Sequence, residues 1–490
     1  MTYRSRTLLK AAVGLVGLAS LALFAFFGVY RAKQSEERED KLRKQVFQFD
    51  QKKVVRMVIK YGATRVVAER LAAESQGLSA WRLTEPIQTD GDSISLNALL
   101  GTLENLESIQ TIGGRDGLER KRYGLDQPQG AVQIELQDGA SMGLVVGKRS
   151  GYNKDLYVQK EGSDEILVVA GSEEAALLKK PLDLRRKELM HFDTTQVSSF
   201  TLARETGTVE LEKTGDQWRI VKPIADRADP SEVLRLLDAA RTLRATEFLD
   251  TIPEGEKAFG LAPPAVTLEV RLDSNQARQV LVLGKGALET NKTKFYARSR
   301  VPGSSLAEIP EYQAKDLQKT AFDLQERTLL RFEPEAVYQI KLASDAELLV
   351  LDKKVEEKPS EQGGPPIKDE RWSLISPKTG PAKKSAVSDL LAKLSQIKAA
   401  QFTADRDKAD LRRYGLHRPK LTVTLLGKEG QELGSLSIGT VVEQPSGHTF
   451  AIGTNRPFIC QIETKLLEPI RIGVKELEEN TAPAPTANLK

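Results

Sequence analysis

The chain has 490 residues, 40% of them hydrophobic and 29% charged, a balance that excludes a disordered polymer and allows three or four domains of roughly 150 residues. Its 72 basic and 68 acidic residues are interspersed, which argues against the basic stripe of a nucleic-acid binder. The one cysteine, Cys460, excludes an intrachain disulfide; within the apolar run 457–462 it is expected to be a small buried hydrophobe.

Residues 11–30 carry no charge. At 1.5 Å per residue they span a bilayer core of roughly 30 Å, so a transmembrane helix is predicted. A cleavable signal is disfavoured, because the stretch exceeds an ordinary h-region and its exit, Gly28-Val29-Tyr30-Arg31, lacks a small-x-small site. Arg4, Arg6 and Lys10 crowd the short leading side, whereas Arg31 and Lys33 are followed at once by acids; the bias keeps residues 1–10 cytoplasmic and exports the chain beyond the helix. Ala11, Gly14, Gly17 and Ser20 are small residues that would let another membrane helix approach. Residues 31–46 read as a charged stalk.

Beyond the stalk the chain is written three times. Trp81-Arg82-Leu83-Thr84-Glu85-Pro86 returns as Trp218-Arg219-Ile220-Val221-Lys222-Pro223 and as Trp372-Ser373-Leu374-Ile375-Ser376-Pro377, using every tryptophan in the protein. Such recurrence marks tandem structural units. Each opens at an aromatic-acid pair (Phe49-Asp50, Phe192-Asp193, Phe332-Glu333), followed by strand-like runs at 54–59, 197–202 and 337–342. The tryptophan starts a third strand and the proline ends it. An apolar stripe at helical spacing begins fifteen residues after each tryptophan, at Leu96, Val233 and Val387. Asp229-Pro230-Ser231-Glu232 supplies an N-cap, a first-turn proline and an acid. This helix is expected to cover the sheet face that buries the indole.

Then come Tyr123-Gly124-Leu125, Phe259-Gly260-Leu261 and Tyr414-Gly415-Leu416, where glycine permits positive φ, and strands ending in Gly147-Lys148, Gly284-Lys285 and Gly439-Thr440. A further aromatic follows at Tyr157, Tyr296 and Phe450, and every unit is expected to close with a short helix, for instance over 172–180. The predicted fold is α+β: a transmembrane helix in 1–30, the stalk, then units 47–190, 191–330 and 331–477, each of antiparallel β-meanders with a packed amphipathic helix. An insertion, 354–369, and the tail, 478–490, read as solvated loop and disordered end. The joints also repeat, 183–193 matching 323–333 without a flexible linker, so stacking with fixed geometry is expected.

The anchor, W-R-L-T-E-P, Y-G-L-D-Q-P and Val146-Gly147-Lys148 together resemble a family of bacterial membrane-anchored proteins. These are built from tandem copies of a domain of unknown function and are often encoded beside ABC transporter and gliding-motility-type transport subunits. The resemblance covers nearly the whole chain after the anchor. It implies an accessory role in an envelope transport complex at the inner membrane, and it carries over no active-site residue. The third copy departs from the pattern, with Ser373 and Thr440 replacing the Arg and Lys of the other two.

No chemistry is predicted. The three histidines, His191, His417 and His448, have no metal-ligand spacing; Gly147-Lys148 and Gly284-Lys285 lack the rest of a phosphate loop; and no G-x-S-x-G occurs. Catalytic, cofactor and metal residues are therefore expected to be none. Trp81, Trp218, Trp372, Gly124, Gly260 and Gly415 are assigned to the repeated core. Arg82 and Arg219, alternating with a buried tryptophan, point to the opposite sheet face and are the candidates for a partner surface. The expected function is a non-enzymatic membrane scaffold that contacts transport subunits; the alternative is an extracytoplasmic binding module for cell-wall glycan or an exported lipid.

Overall fold

A computed structural model describes residues 41–478 except 72–79, 114–116, 152, 274–276, 287–293, 302, 359–366, 445, 455 and 471–473, together with Phe26, Lys33 and Gln34. The predicted transmembrane stretch 11–30 lies outside the described residues apart from Phe26. Among the described residues no helix is long and apolar enough to cross a membrane.

The α+β expectation is overturned: the chain is mostly β, with one nine-stranded antiparallel sheet per repeat. In the first repeat the strands are β1 (Val54–Tyr61), β2 (Thr64–Arg70), β3 (Trp81–Glu85), β4 (Thr89–Asp90), β5 (Ser108–Ile112), β6 (Gly130–Leu136), β7 (Ser141–Arg149), β8 (Leu156–Lys160) and β9 (Ile166–Val169). Their order across the sheet is β4-β3-β2-β1-β6-β7-β8-β9-β5, and the other two repeats have the same order. The two expected meanders are thus halves of one sheet, fused where β1 pairs with β6 through Met57↔Ile134 and Ile59↔Val132. The segment after the helix adds the far edge by pairing β5 with β9.

Among the described residues each repeat has one twelve-residue helix, Ser93–Glu104, Pro230–Arg241 and Lys384–Ser395, beside helical segments of seven residues or fewer. The expected closing helix over 172–180 shrinks to a 3-10 turn, Gly171–Glu173, and one helical turn, Glu174–Leu177, before Pro181. Asp92 and Asp229 cap the first two long helices with their carboxylates, whereas Lys383 caps the third without a side-chain bond. The inner faces Leu96/Leu99/Leu100/Leu103, Val233/Leu236/Leu237/Ala240 and Val387/Leu390/Leu391/Leu394 are all buried.

The chain divides into two compact units: residues 1–193, 240–265 and 279–314 in one, and 194–239, 266–278 and 315–490 in the other. In the first unit, the largest core draws every member from the first repeat, from Val46 to Leu184. In the second unit, the largest core draws every member from the third repeat, from Leu329 to Leu477. The stalk's end belongs to the first repeat: Val46 and Phe47 are buried in its core, and the Val46 amide donates to Leu106 O at 2.8 Å.

The insertion is not simply a loop. Leu348–Lys358 and Ile367–Ser376 continue as paired strands through Val355↔Glu370 and Glu356↔Asp369, so much of the 354–369 segment prolongs a hairpin. Alternating charge on both strands had masked its pairing.

Candidate functional site

Each tryptophan has a cation directly across the neighbouring strand: Arg70↔Trp81, Lys213↔Trp218 and Lys353↔Trp372. The Arg70 guanidinium lies 4.5 Å from the Trp81 ring centre, while its Nε donates to Val54 O at 2.8 Å and its Nη2 to Gln51 O at 3.0 Å. Lys353 is buried between Tyr338 and Trp372, at 4.4 and 5.8 Å, and donates to Glu335 O at 2.7 Å. In the first and third repeats, then, the cation ties the turn that opens the repeat, Gln51–Lys53 or Pro334–Ala336, to the aromatic core. Sequence reasoning looked at the arginine beside the tryptophan and missed the one opposite, because cross-strand register is not local information.

Burial lowers the Lys353 pKa below the ordinary lysine value. A group whose folded pKa is depressed binds fewer protons than the unfolded chain between the two values, so it makes stability rise with pH across that window. Chemical denaturation across the alkaline range up to about pH 10.4, the unfolded lysine value, is expected to show this slope; Lys353→Met should remove it from the difference curve.

Trp81 and Trp372 are buried and Trp218 is half-buried. The Trp81 indole N–H donates to Asn97 Oδ1 of the covering helix at 2.9 Å. Gly124, Gly260 and Gly415 have φ of +70°, +67° and +66°. Each lies against the backbone of the Gly-Lys or Gly-Thr strand: a Cβ on Gly260 would stand 2.4 Å from Lys285 O, and one on Gly415 2.8 Å from Thr440 N. The preceding aromatic packs against the later one in each repeat: Tyr123 tilted on Tyr157 at 4.5 Å, and Phe259 on Tyr296 and Tyr414 on Phe450 edge-on, both at 5.0 Å. Gly-Lys is therefore the other half of this lock, and in the first repeat its Lys148 amide donates to Tyr123 O at 2.9 Å.

Arg82 and Arg219 lie on the exposed faces of their sheets. Arg82 sits in a ladder of alternating charge, Glu135↔Arg56↔Glu69↔Arg82↔Asp90, across β6, β1, β2, β3 and β4. Arg219 faces Glu212 on one side and Arg227 on the other, and Ser373 faces Asp352 and Pro381. The structure thus gives each arginine its own sheet-face setting. Among the described residues no group of three or more His, Cys, Asp or Glu could hold a metal ion.

Both joints are stitched by the same main-chain bonds. At the first, Asp92 N–H donates to Leu184 O (2.8 Å), Arg186 to Asp90 O (3.0 Å), Leu189 to Leu243 O (3.2 Å) and Ala245 to Lys187 O (2.9 Å). At the second, Asp229 donates to Leu324 O (2.8 Å), Glu326 to Arg227 O (3.0 Å), Leu329 to Ile397 O (3.0 Å) and Ala399 to Arg327 O (2.8 Å). Each joint also buries an arginine near a phenylalanine of the following repeat, but from opposite sides. Arg185, from the first joint itself, stacks 3.9 Å from Phe248 and binds Asp250 (2.9 Å) and Ser305 (2.9 Å). Arg456, from the third repeat, lies 5.6 Å from Phe402, pairs with Asp226 at 3.1 Å and donates to Glu326 O; Gln325 donates to the same Asp226. The Arg456–Asp226 pair is only 4% exposed on either side.

The recurring sheet, the glycine lock, the cation across the strand from each tryptophan and the stitched joints define a tandem array of one β-rich domain. The chain belongs to the family built from the domain of unknown function DUF4340, which matches residues 81–222, 218–370 and 372–476. A comparison with curated proteins finds no match. Each matched span begins at or beside a tryptophan, so it starts at the third strand of a sheet and runs out of phase with the joints.

Proposed function

We propose that this chain is a non-enzymatic, membrane-anchored envelope scaffold, an accessory subunit of an ABC-type transport or gliding-motility-like complex. Residues 11–30 anchor it in the inner membrane and the repeats stand outside the cytoplasm. The observation that supports this reading best is the pair of joints. The same four backbone bonds hold each one, so spacing between successive repeats is set by main chain and does not depend on a flexible linker. A scaffold needs that property. The apolar anchor with its small residues supplies a docking helix, and the family likeness points the same way by analogy.

Pull-down after detergent solubilisation tests it, comparing the full chain with a form starting at Phe49. Transport subunits are expected with the anchored form and reduced or absent with the other; recovery of both forms alone, with tight retention on peptidoglycan, would favour the binding module. Orientation can be read by an impermeant maleimide on a cysteine introduced in 354–369. Native Cys460 should stay silent until unfolding, because burial pushes its thiol up to about 12 and its Sγ donates to Ala451 O at 3.2 Å. Labelling of the introduced cysteine only after lysis would contradict the exported topology.

A further inference from the structure

We propose that the cleft beside Arg185 at the first joint is a binding site for a single-chain amphiphile with an uncharged, hydroxyl-bearing head. This goes beyond the scaffold reading and can fail without it.

The two joints differ in what fills the same place. At the second joint three phenylalanines pack together, with Phe322–Phe402 at 5.3 Å and Phe402–Phe458 at 5.2 Å. Matching backbone bonds place Leu182 at the position of Phe322 and Ser305 at that of Phe458, leaving Phe248 as the one ring of the three. The fold therefore does not require open space at the first joint, since the same chain fills the corresponding place with two more rings. Instead there is a cleft of about 420 Å³, with Val66, Leu83, Pro86 and Leu182 among its walls. A neighbouring cavity of about 380 Å³ shares Ile87 and Asp250 with it. Those sizes lie within the range of roughly 300–1,000 Å³ usual for small-molecule sites, which are apolar with a few placed polar groups.

The polar end sets the head. Arg185 is buried, its two terminal nitrogens are held by Asp250 and Ser305, and its Nε is buried with no hydrogen-bond partner. Glu247 lines the same cleft. Arg185 and Asp250 offset each other, while Glu247 opposes an anionic head and Arg298, lining the neighbouring cavity, opposes a cationic one. Hydroxyl groups, which both donate and accept, suit the mixed set without a charge penalty. The apolar walls take the chain.

The test uses the full-length protein in membranes and a glycerol monoester of a twelve-carbon diazirine acid. Photo-adducts are expected on the 181–185 and 246–250 segments, to be displaced by unlabelled monolaurin but not by laurate or dodecyltrimethylammonium. Leu182→Phe and Ile87→Trp each fill the cleft and should lose the adduct, with melting of Leu182→Phe no lower than that of the parent. Adducts that persist in both filled variants, or that arise only elsewhere, would overturn the site. Equal displacement by the charged chains would overturn the proposed head.

Discussion

Trp81→Ala is expected to destabilise the first repeat by about 3–5 kcal/mol, the usual range for deleting a large buried aromatic. Trp81 is fully buried against the helix that covers its sheet, so truncation opens a cavity. It also strands two partners: Asn97 Oδ1 loses its indole donor, and Arg70 loses the ring beneath its guanidinium. Trp218→Ala should cost clearly less, because that indole is half-buried and packs against Phe200 at 5.5 Å. Urea denaturation of the two variants gives the comparison; equal losses would mean that exposure does not set the cost.

Removing the Asp226 carboxylate as Asp226→Ala is expected to cost about 3–5 kcal/mol, the range found when one member of a buried pair is deleted. Arg456 would then be a buried charge without its anion, and Gln325 would lose its acceptor. Pairing Asp226→Leu with Arg456→Met should recover most of the loss, since the penalty lies in the unpaired charge and apolar groups of similar size have none. Both energies can be read from denaturation midpoints at constant m. A double variant as unstable as Asp226→Ala would assign the cost to packing.

Much of the repeat was legible in the sequence, because helices and turns are written locally. The apolar stripes gave the long helices, the Asp229 cap gave a start, and Gly124, Gly260 and Gly415 marked left-handed turns. What was not legible depends on pairing between distant residues. The union of β1 with β6 joins residues 69 to 82 positions apart, and alternation along a strand does not name its neighbour. The cations opposite the tryptophans depend on that register, so they were invisible while Arg82 and Arg219, adjacent in sequence, stood out. The contrast between the joints was hidden for the same reason. Leu182 and Ser305 are ordinary residues until the topology sets them where Phe322 and Phe458 stand.

The central claim is that the folding unit is the nine-stranded sheet bounded at the joints, out of phase with the span that defines the family. Residues 41–190 contain all nine strands of the first repeat and every member of its core. Residues 81–222, the matched span, lack β1 and β2, and with them the strand through which β6 is joined to the other half of the sheet, and Arg70. Thermal unfolding of the two fragments, followed by near-ultraviolet circular dichroism, decides between the boundaries. The account predicts a single cooperative transition for 41–190 and none for 81–222; cooperative unfolding of 81–222 with no transition in 41–190 would contradict it.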